Sequence, residues 1–160
     1  MRQGVRIGVD VGTVRIGIAR TDPEGILAVP VETVKRQDDG SELARILEII
    51  DEFDAIEIVV GLPRHLKGAE GISAKGARRY ARRIAEHVGD KRVAMVDERL
   101  SSNQAHDRLR QSGMSTRDHR DVIDQVAAQV ILETSLEMER MGNPEPGQTI
   151  EVQPPREGNQ

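Results

Sequence analysis

The chain has 160 residues, a formal charge of −4, no cysteine, and one phenylalanine and one tyrosine as its only aromatic residues. That length suits one domain with a sizeable core, and the missing cysteines exclude disulfides, zinc–thiolate sites and cysteine nucleophiles, making the cytoplasm the default compartment. Two rings are too few for a base-stacking platform, the acidic balance argues against a simple basic nucleic-acid-binding module, and no apolar run reaches the length of a membrane span.

From Met1-Arg2-Gln3 the sequence passes directly into a strand, so no signal peptide is expected. Val5, Ile7 and Val9 alternate with smaller or polar residues, the period of a strand, and Asp10 sits where that strand ends. Asp is depleted in strands because its side chain prefers nearby backbone, so Asp10 needs a partner. A metal ion or a metal-bound phosphate is one, and a bond within its own turn is another. Gly8 and Gly12 remove side chains on either side, which would let a bulky ligand or another backbone approach.

Val14 to Ala19 reads as a second strand and Ile26 to Val34 as a third, with Asp22-Pro23-Glu24-Gly25 as the turn between them. Short connections make these three an antiparallel meander. Asp39-Gly40-Ser41 opens a helix carrying Leu43, Ile46, Leu47, Ile50 and Phe53 at amphipathic spacing. Ile56 to Gly61 is a near-continuous apolar strand interrupted by Glu57; reached through a helix, it is expected to lie parallel to the first.

A loop through Gly68-Ala69-Glu70-Gly71 leads into a helix from Ser73 to about Val88. Lys75, Arg78, Arg79, Arg82 and Arg83 fall at helical spacing opposite Ala77, Tyr80 or Ala81, Ile84 and Val88. Five cations with no acid among them suit a solvated face or, more pointedly, contact with phosphates. Val93 to Val96 is a fifth strand running into Asp97-Glu98-Arg99-Leu100-Ser101-Ser102, and Ser101 with Gln104 forms a capping box for a helix ending near Gln111. A last helix spans Asp121 to Met138, with Ile123, Val126, Ala127, Val130 and Ile131 on one side and Asp124 in its first turn, beside that stripe. Residues 142–160 are rich in Pro and Gly without apolar period and are expected to be a disordered tail after a domain of residues 1–141.

The order β-β-β-α-β-α-β-α-α is the ribonuclease H-like α/β layout: a mixed five-stranded sheet, antiparallel meander plus two parallel strands, flanked by helices. Sites in open α/β sheets gather at the carboxyl ends of the parallel strands, where Asp10, Glu98 and Asp124 could meet. Three hard carboxylate oxygens without cysteine suit Mg²⁺ or Mn²⁺, and two such ions can support phosphodiester hydrolysis. Strand parity alone does not say whether Asp97 or Glu98 faces the site; Asp121, one turn before Asp124, is a weaker further carboxylate. His65, His87, His106 and His119 show no ligand spacing. The D-x-G turn also begins phosphotransferases of the actin and sugar-kinase kind, but no second domain or second Gly-rich phosphate loop is evident.

Four segments in order, Gly8-Val9-Asp10-Val11-Gly12-Thr13-Val14-Arg15-Ile16-Gly17, Val60-Gly61-Leu62-Pro63, Val96-Asp97-Glu98-Arg99-Leu100-Ser101, and Asp124 with Ala127, Ala128 and Ile131-Leu132, make the chain resemble the YqgF or RuvX family of Holliday-junction-resolvase-like proteins. The resemblance spans residues 5 to about 139. It implies a metal-dependent nuclease acting in the cytoplasm on the 5′ end of pre-16S rRNA, with nucleic acid and ribosomal precursor particles as partners and no membrane. Resolution of branched DNA and non-catalytic RNA or ribosome binding are the alternatives. By similarity Asp10, Glu98 and Asp124 would be metal ligands, and Arg15 and Arg99 would be placed to hold phosphate. Monomer and homodimer both remain open.

Overall fold

The structure, a computed structural model, describes residues 1–63, 71–97 and 116–152, the side chains of 116–121 excepted. Its strands are β1 (Arg6–Val11), β2 (Arg15–Thr21), β3 (Ala28–Lys35), β4 (Glu57–Leu62), β5 (Arg92–Asp97) and β6 (Gln148–Thr149), and its helices α1 (Leu43–Glu52), α2 (Ile72–Ala85) and α3 (Thr116–Arg140). They make one sheet in the order β3-β2-β1-β4-β5-β6. β1, β2 and β3 form the expected meander, and β4 and β5 run parallel to β1. The expected helix between Ser101 and Gln111 and the loop from Gly68 to Glu70 lie outside the described residues.

The sheet has a sixth strand, where the sequence reading has five. β6 pairs antiparallel with β5 and lies in the segment expected to be a disordered tail. Its fixation is long-range. The Arg92 guanidinium donates to the carbonyls of Glu145, Pro146 and Gly147 and to the Thr149 hydroxyl, and the Ile150 amide donates to the Val93 carbonyl. An otherwise unpaired sheet edge thus orders a stretch that has no apolar pattern of its own. Residues 153–160 lie outside the described residues.

Two apolar layers sandwich the sheet. On one face α1 and α2 bring Ile46, Ile49, Ile50, Ala77, Tyr80 and Ile84 against Ile7, Val9, Ile58, Val60 and Met95. Ile46, Ile49 and Ile84 have no exposed surface, and each such burial stabilises by about 1.5–3 kcal/mol relative to exposure. On the other face α3 sets Ala128, Ile131 and Leu132 on Ala19, Val59 and Val96. α1 ends where Asp54 takes a left-handed φ of 49°, a conformation Asp tolerates better than most side chains.

Glu57, the polar interruption in β4, is fully buried and accepts from Arg2 and Arg92. Glu139 near the end of α3 accepts from Arg2 and Arg6. Arg6, Glu57 and Arg92 are register partners across β1, β4 and β5. The cluster therefore closes the end of the sheet opposite the candidate site, tying the last turns of α3 to the strand starts.

Candidate metal and nucleic-acid site

Alternation along the strands decides what Asp10 faces. Ile7 and Val9 belong to the α1/α2 layer, and a Cβ on Gly8 would run into Leu132 and the Ala128 carbonyl of α3. Gly8 therefore points at α3, and so does Asp10 two residues on. The close approach that Gly8 permits is that of another backbone.

The register partner of Asp10 is Gly17 in β2. A Cβ at Gly17 would overlap the Asp124 carbonyl and lie 2.9 Å from its Cα. Asp124 thus rests on the strand residue directly beside Asp10, and its own carboxylate is half-buried. Sheet-facing positions of α3 run Asp124, Ala128, Ile131, Leu132, Ser135 and Glu139, so Asp124 belongs to the buried stripe itself. Val122, Val126 and Val130 form a separate small cluster. This second apolar side is why periodicity blurs the helix's true inner face.

Arg15, expected to meet phosphate, has its Nε 2.9 Å from Asp124 Oδ2. Next along α3, Gln125 donates to the Thr33 hydroxyl at 3.0 Å and fixes the same turn against β3. Asp97 pairs in register with Leu62 of the α1/α2 layer, so it lies on the opposite face from Asp10. Glu98 and Arg99 lie outside the described residues, as does the side chain of Asp121. Among the described residues no three acids or histidines gather into a metal-binding group.

The cations of α2 divide. Lys75, Arg79 and Arg82 are exposed, whereas Arg78 and Arg83 are half-buried. Arg83 donates to the Gly40 carbonyl at 3.2 Å and lies 5.2 Å from the Tyr80 ring centre. Arg36, on another segment, stands at the same 5.2 Å from that ring. The Tyr80 hydroxyl donates to Glu42 at 2.8 Å, and the other Glu42 oxygen accepts from the Gln37 amide. Burial, then the Glu42 contact, pushes the Tyr80 phenol well above its usual range. Arg36, Tyr80 and Glu42 escape a reading by sequence because no periodicity connects residues 36 and 42 to 80.

The family model for RuvX, described as Holliday junction resolvase, matches residues 4–138. The chain belongs to the RuvX family. Among RuvX relatives, a Streptomyces coelicolor protein is 46% identical over 152 residues, 95% of this chain and 91% of its own. A Clavibacter sepedonicus protein is 49% identical over 151 residues, 94% of this chain and 93% of its own. Both carry the provisional name pre-16S rRNA nuclease. The RuvX fold is ribonuclease H-like. It is similar to Thermus thermophilus RuvC solved with a Holliday junction substrate (TM-score 0.51, 18% identity, 92% of this chain and 99% of that one). It is also similar to the fowlpox virus resolvase solved with Holliday junction DNA (TM-score 0.51, 12% identity, 87% of this chain and 99% of that one). At those identities the likeness speaks for the fold alone. No helix among the described residues of this RuvX chain is long and apolar enough to cross a membrane.

Proposed function

We propose that this RuvX protein is a divalent-metal-dependent nuclease that hydrolyses phosphodiester bonds in maturing the 5′ end of pre-16S rRNA. The observation that carries the reading is the placing of the Asp124 backbone on Gly17, the register partner of Asp10. Relatives of near-equal length named for pre-16S rRNA cleavage support the substrate.

Asp10 and Asp124 supply hard oxygen donors on one face of the sheet, a donor set that fits Mg²⁺ or Mn²⁺. Glu98 is the third proposed ligand. Asp97 is on the wrong face, and Asp121 remains a lesser candidate. When bound, such ions acidify a water and neutralise charge on the leaving oxygen. Arg15 holds the Asp124 carboxylate through Nε, and its positive charge beside the site would favour an approaching phosphate. Arg99 and the exposed Lys75, Arg79 and Arg82 would bind flanking phosphates; Arg78 and Arg83 would contribute field more than contact. In-line attack of water at phosphorus breaks the bond to O3′, leaving a 5′-phosphate and a 3′-hydroxyl. Ribosomal precursor particles are then the partners and the cytoplasm the setting.

The family's description as Holliday junction resolvase favours a second substrate, branched DNA. Symmetric resolution needs two sites on opposed strands, hence a dimer, and a chain with one Phe, one Tyr and no Trp offers little to wedge a junction open. RNA is therefore the preferred substrate.

The test is cleavage of end-labelled pre-16S RNA and of a four-way DNA junction with Mg²⁺, Mn²⁺ or EDTA, wild type beside Asp10→Asn. Metal-dependent cutting of the RNA, lost in the variant, is expected. Cutting retained in a clean Asp10→Asn preparation would overturn the assignment of Asp10. No cutting of either substrate, with salt-sensitive RNA binding, would make the protein a binding factor.

A further inference from the structure

A cavity of about 180 Å³ opens between the turn after β1 and the first turns of α2, walled by Gly12, Thr13, Arg36, Ser73, Gly76 and Arg79. Among the described residues no acidic side chain lines it. That volume leaves room for a phosphate group.

Arg36 is held ready at its wall. Its Nη1 donates to the Gly12 carbonyl at 3.0 Å, and the buried Tyr80 ring supports the guanidinium from beneath. Because Tyr80 is itself fixed by Glu42 and flanked by Arg83, the fork loses little freedom when it takes up a ligand. Glu42, close to the pair, has both its oxygens already accepting bonds from Tyr80 and Gln37. Arg79 stands exposed on the facing helix, with Gly76 leaving the gap between them open.

The position relative to Asp10 gives this cavity its meaning. Val11 and Gly12, which help line it, are the next two residues of the chain, about 7 Å of extended backbone. Asp10 faces α3, whereas the cavity is on the α2 side. A nucleic-acid strand crossing the carboxyl edge of β1 would lie over both. We propose that this cavity is a phosphate subsite in which Arg36 and Arg79 hold a backbone phosphate flanking the one that is cut. The proposal rests on the nuclease reading above and adds Arg36, a residue outside the basic face of α2, to the nucleic-acid surface.

The test uses Gly76. A Cβ there meets nothing within 4 Å, and replacing a mid-helix glycine favours the helix, so Gly76→Glu and Gly76→Gln should fold. Binding of a fluorescein-labelled single-stranded RNA to the full chain is followed by anisotropy in EDTA at several KCl concentrations, and cleavage is followed separately with Mg²⁺. Gly76→Glu should weaken binding by about tenfold through like-charge repulsion of the phosphate, and the equal-sized Gly76→Gln by much less. Arg36→Gln and Arg79→Gln should each reduce the salt slope by about 0.7. Equal affinity and slope in wild type and Gly76→Glu, or equal losses in the Glu and Gln variants, overturns the subsite. If that happens while wild type cuts and Asp10→Asn does not, the nuclease reading stands alone. If instead nothing cuts but Gly76→Glu still binds about tenfold more weakly, the subsite stands and the nuclease reading falls.

Discussion

Gly17 and Asp124 meet backbone to backbone: the space a Cβ on Gly17 would need is filled by the Asp124 peptide. A hydrogen in place of a side chain therefore sets how near α3 lies to the sheet, and with it where the Asp124 carboxylate stands relative to Asp10 on the neighbouring strand.

Gly17→Ala should force α3 outward. Overpacking of this kind costs about 1–3 kcal/mol, and since the obstructing atoms are main chain and cannot rotate away, the upper end is expected. At this chain length each kcal/mol lowers the melting temperature by about 2–4 °C. Cleavage should fall further than stability, because the two carboxylates separate. Calorimetry and cleavage on the same preparation check this; an unchanged melting temperature would refute the contact.

Arg15→Ala should leave the fold intact, since the pair with Asp124 is partly solvent-exposed. Cleavage should drop about 10- to 100-fold with a raised Mg²⁺ requirement, as when partners that orient a metal ligand are removed. Lysine should restore little, because it lacks the Nε that meets Asp124. A Mg²⁺ titration of all three proteins separates this from general loss of activity.

Glu57→Gln should be among the more destabilising single changes outside the site. It leaves Arg2 and Arg92 beside a buried neutral group, a situation that costs about 3–5 kcal/mol. Urea unfolding measures it, and a change below about 1 kcal/mol would mean that water reaches the cluster.

Acid should weaken the fold through Glu139. Burial works to raise its pKa, but hydrogen bonds from Arg2 and the charge of Arg6 outweigh it and hold the carboxyl below its ordinary 4.5. The ionised form is thus favoured in the folded chain. Its contribution is complete above the ordinary value and is lost as pH falls through the depressed folded value. Glu32, lowered by its hydrogen bond from Arg45, acts in the same direction. Melting temperature against pH should be flat just above 4.5 and decline below it, and Glu139→Gln should shrink that decline.

Tyr80→Phe should cost about 1–3 kcal/mol by depriving a Glu42 oxygen of its buried donor. The ring that supports Arg36 remains, so RNA affinity should fall less than in Arg36→Gln. Thermal unfolding and anisotropy on both variants decide the order.

The sequence by itself determined the order of the first five strands and of the three described helices, the meander, the parallel pair and the place of Asp10 at a strand end, because period 2 and period 3.6 are imposed locally by backbone geometry. Glu57 stood out as a break in an apolar strand, yet its partners Arg2 and Arg92 lie 55 and 35 residues away. Only the tertiary structure decided that Gly17 is where α3 docks, that Asp97 faces away from Asp10, that Arg83 packs on Tyr80, and that residues 148–149 extend the sheet. Each depends on which surface comes to rest against another. That is set by helix docking, by strand register and by the open edge of β5, and no local pattern along the chain encodes it.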